Sequence, residues 1–189
     1  MVASLASFRR YQREEAWTWE HQALLRSRAV AGQPALCAVF EQERRQILIE
    51  HVERENLASA IADMRARMRR ELSQGTKEMF DLKQDAGGLA DIEFLVDFWV
   101  LANAAKVPEL VSFPDNVRQL EALEAADLID AQTAAFLKQA YIRLRARIHE
   151  LALSDGGKLV PAADLADLRA GIVAIWERVF GPPSAAGRN

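Results

Sequence analysis

The sequence predicts an all-α fold, a helical bundle of about six or seven helices interrupted by one irregular Gly-Gly loop. Three observations carry this. Ala, Leu, Arg and Glu, all good helix formers, dominate the 189 residues. The 9 glycines and 6 prolines are few and sit at apparent boundaries. Between those boundaries, apolar residues recur at helical spacing, except in one stretch around Phe80–Phe94. Half the residues are apolar, enough for a single helical domain with a proper core.

Taken in order, the first helix is expected from about Ser7 to Ala31, closed by Gly32 and Pro34. Trp17, His21, Leu24, Leu25 and Arg28 share one side, which places Trp17 in the bundle. Trp19 falls on the opposite side among Glu15, Gln22 and Arg26. There it is either a covered surface aromatic or a contact with something outside this chain. A second helix runs from Pro34, suited to a first turn, to Ile49, with Leu36, Phe40, Ile47 and Leu48 as its stripe. Cys37 lies among Leu36, Val39 and Phe40 and reads as a buried thiol; as the sole cysteine it can form no internal disulfide, which fits a reducing compartment.

A third helix runs from Asn56, a good N-cap, to Leu72 through Leu57, Ile61, Met64 and Met68. Arg65, Arg67, Arg69 and Arg70 fall on its other side. With no interleaved aromatics, they read as a solvated face rather than a phosphate-binding one. A fourth helix, Leu89 to Lys106, is apolar around most of its circumference and is the expected central, buried one. Asp115 starts a fifth through Val117, Leu120 and Leu123, and Asp130 caps a sixth through Phe136, Leu137, Tyr141, Leu144 and Ile148. Ser154 to Gly157 is a polar break. A last helix, Ala162 to Phe180, is stopped by Gly181-Pro182-Pro183, and residues 181–189 are expected to be a disordered tail. The formal net charge of −3 supplies no global field for nucleic acid or an anionic membrane, and no apolar run is long enough to span a bilayer.

The stretch FDLKQDAGGLADIEF, Phe80 to Phe94, departs from helical periodicity. Alternation over Phe80, Asp81, Leu82 and Lys83 suits a short extended segment, and Gly87-Gly88 permits backbone shapes a Cβ forbids. Glycines before a helix start resemble a phosphate cradle, yet neither the P-loop pattern nor G-x-G-x-x-G is present. Asp81, Asp85 and Glu93 lack the spacing of a calcium loop. Asp91-Ile92-Glu93 could hold metal ions on a strand, but on a helix residues two apart diverge. His21, His51 and His149 form no zinc grouping, and no nucleophile motif is visible. Residue pattern alone therefore favours a structural clasp of Asp81, Lys83 and Asp91 over a binding site.

FDLKQDAGGLADIEFLV from Phe80, YQREEAWTWEHQALLRSRAVAG from Tyr11, PDNVRQLEAL from Pro114 and AYIRLRARIHEL from Ala140 together resemble the bifunctional glutamine synthetase adenylyltransferase/adenylyl-removing family. That resemblance implies a parent with two halves, each a nucleotidyltransferase domain followed by a helical domain. Glu15–Leu24 is worded like the C-terminal half, which attaches AMP to glutamine synthetase; the other half removes it by phosphorolysis. On this likeness the chain is the C-terminal helical domain. Residues 1–12 are the join to a missing catalytic domain, 13–180 the bundle, and the chain ends where the parent would.

The parent's magnesium and ATP belong to its catalytic sheet, whose signature these residues lack. The resemblance therefore implies no catalytic residue and no metal in this segment, which is expected to be silent alone. It implies that Lys83 and Asp91 contact nucleotide or order the cleft, supported by Asp81, Glu93, Gly87 and Gly88, and that Trp19, Arg26 and Arg28 serve the domain join. The implied partners are the preceding nucleotidyltransferase domain, glutamine synthetase and the PII signal protein, in the cytoplasm, with neither nucleic acid nor membrane. The alternative is a docking module for glutamine synthetase or PII with no active-site role.

Overall fold

In the computed structural model, which describes residues 3–154 and 157–181, the chain is helical apart from one short strand pair. Among the described residues there are eight α-helices: α1 (Leu5–Glu14), α2 (Thr18–Leu25), α3 (Pro34–Glu50), α4 (Leu57–Leu72), α5 (Leu89–Asn103), α6 (Asn116–Ala125), α7 (Ala131–Leu153) and α8 (Ala166–Phe180). Strands β1 (Met79–Asp81) and β2 (Leu159–Pro161) pair antiparallel, with Phe80 opposite Val160, and 3-10 turns occupy Pro108–Ser112 and Ala162–Leu165. The expected tail beyond Gly181 and part of the break at Ser154–Gly157 lie outside the described residues. Backbone contacts divide the chain into two compact units, Met1–Ile61 with Val96–Leu128, and Ala62–Leu95 with Ile129–Asn189.

In the first unit the single long helix expected from Ser7 to Ala31 is two helices. The N–H groups of Glu15 and Ala16 both return to the Tyr11 carbonyl at 2.9 Å, closing α1. The helix restarts because Glu20 reaches back, accepting the Trp17 N–H at 2.9 Å and the Tyr11 hydroxyl proton at 2.5 Å. This break turns Trp17 outward, so it is 67% exposed instead of packed in the bundle. Leu24, Leu25, Ile47, Leu48, Val100, Leu101 and Leu120 form the core. Leu36, expected in the α3 stripe, is 55% exposed, and Cys37 is only partly covered. Both sit in the first turn of α3, ahead of its buried residues Glu43, Arg44, Ile47 and Leu48.

Two arginines close this unit's helix ends. Arg54 donates to the carbonyls of Leu48 (3.0 Å) and Ile49 (2.9 Å) in the last turn of α3, Val52 (2.9 Å) just beyond it and Leu101 (3.0 Å) in the last turn of α5, satisfying oxygens that the two helix C-termini leave without intrahelical partners. Arg44 is buried and donates to Leu25 O, Val111 O and the Glu41 carboxylate.

In the second unit α7 and α8 lie so close that a Cβ on Gly171 would come within 2.4 Å of the Phe136 ring. Leu137, Leu144, Val160, Ile172 and Trp176 are buried with Phe80, Leu82, Ile92 and Leu95. Asp130 caps α7 as expected, accepting the Thr133 N–H at 2.8 Å.

Candidate functional site

The elbow lies wholly within the second unit and runs from β1 through Gly87-Gly88 into the first turns of α5. Its start is extended as expected, but burial does not alternate there: Phe80, Asp81 and Leu82 are all buried, the strand ends at Asp81, and Lys83 lies exposed in the turn that follows. Asp81 organises that turn. Its Oδ1 accepts the N–H groups of Lys83 and Gln84, each at 3.0 Å, and its Oδ2 accepts the Gln74 N–H at 3.2 Å and the Lys158 ammonium at 3.0 Å. Burial alone would push this carboxyl up. The bonds from Gln84, Lys158, Lys83 and Gln74 outweigh burial and hold it below its ordinary value. Asp85 backs the turn, accepting from the Asp81 N–H at 2.9 Å and from the Ser73 hydroxyl.

Asp91, in the first turn of α5, is the second anchor. Its Oδ1 accepts from Arg65 Nε at 2.7 Å and Arg69 Nη2 at 2.9 Å, and its Oδ2 from the Gly87 N–H at 2.8 Å and Arg69 Nη2 at 3.1 Å. Arg65 is 0% exposed and also donates to the Gln84 carbonyl at 2.8 Å. Its guanidinium stands 5.9 Å from the Phe94 ring centroid. Burial pushes its pKa down and Asp91 pushes it back, yet an arginine remains charged near neutrality.

The glycine pair closes the elbow. Gly87 has φ +77°, and a Cβ there would lie 2.7 Å from the Arg169 carbonyl oxygen; on Gly88 it would lie 2.9 Å from Asp85 O and 3.0 Å from Leu82 O and Lys83 O. The N–H groups of Gly88, Leu89 and Ala90 donate to Asp85 O, Leu82 O and Lys83 O at 2.9, 2.9 and 3.1 Å. With the Gly87 N–H on Asp91, the amides that resembled a phosphate cradle are spent inside the chain. The carboxylates do not suit magnesium either, because Asp81, Asp85 and Asp91 each have both oxygens in hydrogen bonds. Among the described residues no three His, Cys, Asp or Glu side chains gather where they could hold a metal ion.

The structure thus rearranges the expected clasp. Asp81 and Asp91 are its acids, but Lys83 is not its base; Lys158, Arg65 and Arg69 are. The arginine cluster of α4 is not one solvated face, since Arg65 is buried and Arg69 partly so. A signal for this was present: Arg65 follows Ile61 by four residues and sits beside Met64 and Met68, on the apolar stripe. Gln84, Asp85, Lys158 and Arg169 carried no comparable mark. Glu93 is half-buried one turn into α5. In the first unit Trp19 is 46% exposed on α2 and Arg28 is exposed beyond it. Arg26 donates to Asn116 Oδ1 at 3.2 Å and lies 3.6 Å from the Asp97 carboxylate.

Two family models match the chain: GlnE, glutamate-ammonia ligase adenylyltransferase, over residues 1–43, and GlnD PII-uridylyltransferase over residues 55–162. Among curated relatives, the bifunctional glutamine synthetase adenylyltransferase/adenylyl-removing enzyme of Thioalkalivibrio sulfidiphilus is 42% identical over 95% of this chain and 19% of its own length. That of Hahella chejuensis is 43% identical over 95% of this chain and 19% of its own, and that of Pseudomonas aeruginosa 40% over 95% and 20%. Over 95% of its length the chain is thus homologous to a segment of the glutamine synthetase adenylyltransferases. It is a member of the family of the GlnD PII-uridylyltransferase model, which takes in the elbow, α4 through α7 and β2. The chain spans about a fifth of the length of the curated relatives it matches. No described helix is long and apolar enough to cross a membrane.

Proposed function

We propose that this chain is the helical part, in the C-terminal half, of an enzyme that transfers AMP from ATP to a tyrosine of glutamine synthetase, the other half of that enzyme removing it by phosphorolysis. The observation that carries this reading is the likeness to bifunctional adenylyltransferases over 95% of the chain. The elbow holds Lys83 and the glycine turn against the active-site mouth of a preceding nucleotidyltransferase domain. That domain, in the cytoplasm, holds magnesium with the ATP that the elbow borders, the elbow's own acids being consumed by Arg65, Arg69, Lys158 and backbone amides. Asp91 then acts indirectly, keeping the turn rigid, while Lys83 is the charge that faces outward. Residues before α2, with Trp19, Arg26 and Arg28, serve the join.

The test is AMP transfer from ATP to glutamine synthetase by this chain alone and by a longer protein carrying the preceding domain. Transfer by the longer protein and none by the isolated chain is expected. Transfer by the isolated chain, or none by the longer protein, overturns the proposal.

A second reading draws on the exposed aromatics Tyr11, Trp17 and Trp19, at 39%, 67% and 46%. These suit a docking face for glutamine synthetase or the PII signal protein. Pull-down of either partner by the isolated chain, lost on Trp17→Ala, supports docking; no binding removes it.

A further inference from the structure

We propose that Arg169 and Lys83 form a phosphate-binding pair on the glycine elbow, taking the polyphosphate chain of a nucleotide. The charges of the elbow lead to this pair by elimination. Arg65 and Arg69 are committed to Asp91, and Lys158 to Asp81. Lys83 is exposed, and its ammonium meets no acceptor among the described residues.

Arg169, on α8, is held in an unusual way. Its guanidinium lies 4.1 Å from the centroid of the Phe80 ring, itself 0% exposed, and its buried Nε has no hydrogen-bond acceptor among the described residues. A guanidinium fixed by stacking keeps its planar edge of donors available, and a buried donor without an acceptor calls for one from elsewhere. The fork matches two phosphate oxygens at once, while the lysine adds a point charge.

The backbone of each residue borders the glycine turn. Gly87 packs on the Arg169 carbonyl and Gly88 on the Lys83 carbonyl, at distances where a Cβ would stand only 2.7 and 3.0 Å away. Because the amides of Gly87 to Ala90 are already bonded within the elbow, an anion here is held by side chains and not by a helix N-terminus.

The choice of a polyphosphate over another anion rests on the adenylyl-transfer reading. That reaction consumes ATP and releases pyrophosphate, so both carry the required chemistry. Isothermal calorimetry on the 189-residue chain, with ATP and separately with inorganic pyrophosphate at low salt, tests the pair. Both should bind, more weakly as salt screens the charges. Arg169→Met keeps an aliphatic stem on Phe80 but removes the donors, and Lys83→Ala alters an exposed position. Each should weaken both ligands by about tenfold or more, with melting temperature little changed, and Arg169→Lys should recover only part of the loss.

No binding by the wild-type chain, ATP binding without pyrophosphate binding, or unchanged affinity in a folded Arg169→Met chain overturns the proposal. The function reading fails separately. Pyrophosphate binding intact in a longer protein that transfers no AMP would sink that reading and spare the pair.

Discussion

Arg65 Nε donates to Asp91 Oδ1 at 2.7 Å with side chains 0% and 1% exposed, so the shortest ion pair of the elbow is also its driest. Two charges removed from water are tolerable only while each satisfies the other, and the Gly87 N–H, Arg69 and Gln84 complete the set. Replacing one partner strands the other. Asp91→Ala or Arg65→Met should each cost about 3–5 kcal/mol. In thermal unfolding that corresponds to a fall on the order of 10 °C. The double variant Arg65→Met/Asp91→Leu should recover much of the loss, because it removes both charges. An unchanged melting temperature in the single variants would contradict the buried pair.

Gly87 and Gly157 separate two effects. Both have positive φ, +77° and +72°, so alanine is strained at either. Only at Gly87 would the new methyl also strike backbone, that of Arg169; nothing lies within 4 Å at Gly157. Gly157→Ala should cost about 1 kcal/mol and Gly87→Ala distinctly more, with the difference measured by denaturant midpoint reporting the close approach.

Asp81 and His21 give acid sensitivity in different windows. The Asp81 pKa is depressed in the folded state, so its contribution is complete above the ordinary carboxylate value of about 4 and is lost as pH falls through the lower folded value. His21 is buried, with Nε2 3.0 Å from the Gln12 carbonyl, and burial lowers its pKa against the opposing pull of that bond. The unfolded chain therefore takes up the proton first. Stability contributed by His21 is complete above about pH 6.5 and declines as pH falls below it. Stability measured across the acid range should show an early decline that His21→Gln flattens and a later one that Asp81→Asn flattens.

Lys83→Ala separates function from fold. The side chain is exposed, so its loss should leave melting nearly unaltered. In the longer enzyme it should nevertheless reduce AMP transfer several-fold, seen in steady-state rates at varied ATP. Full turnover would leave Lys83 without a role in the reaction.

Most of the helical frame was legible because it rests on local chemistry. Pro34, Asp115 and Asp130 start helices where sequence placed them, and apolar spacing found α4, α5 and α8. The α1–α2 break was not, because it depends on Glu20 folding back to Trp17 and Tyr11, a polar preference that apolar periodicity does not register. The extended start and glycine turn of the elbow were visible as pattern. Its partners were not, since Arg65 and Lys158 reach their acids from α4 and the approach to β2, Arg169 reaches the Phe80 ring from α8, and only three-dimensional closure decides what each base meets. Arg65 shows the cost of assuming that a charged residue faces water: its place on the α4 stripe indicated burial, and its type concealed it.

The β1–β2 pairing sets an order of assembly. Phe80 is hydrogen-bonded through its strand to a segment that is synthesised only after α7 is complete, and the base that neutralises Asp81 arrives in that same segment. A nascent chain that has emerged only through α7 can build much of its helical secondary structure from nearby residues, yet it lacks the strand, the ammonium and the α8 guanidinium that close the elbow. The elbow is therefore the late-maturing part of the second unit, and a truncation before Lys158 leaves it without the contacts that give it shape.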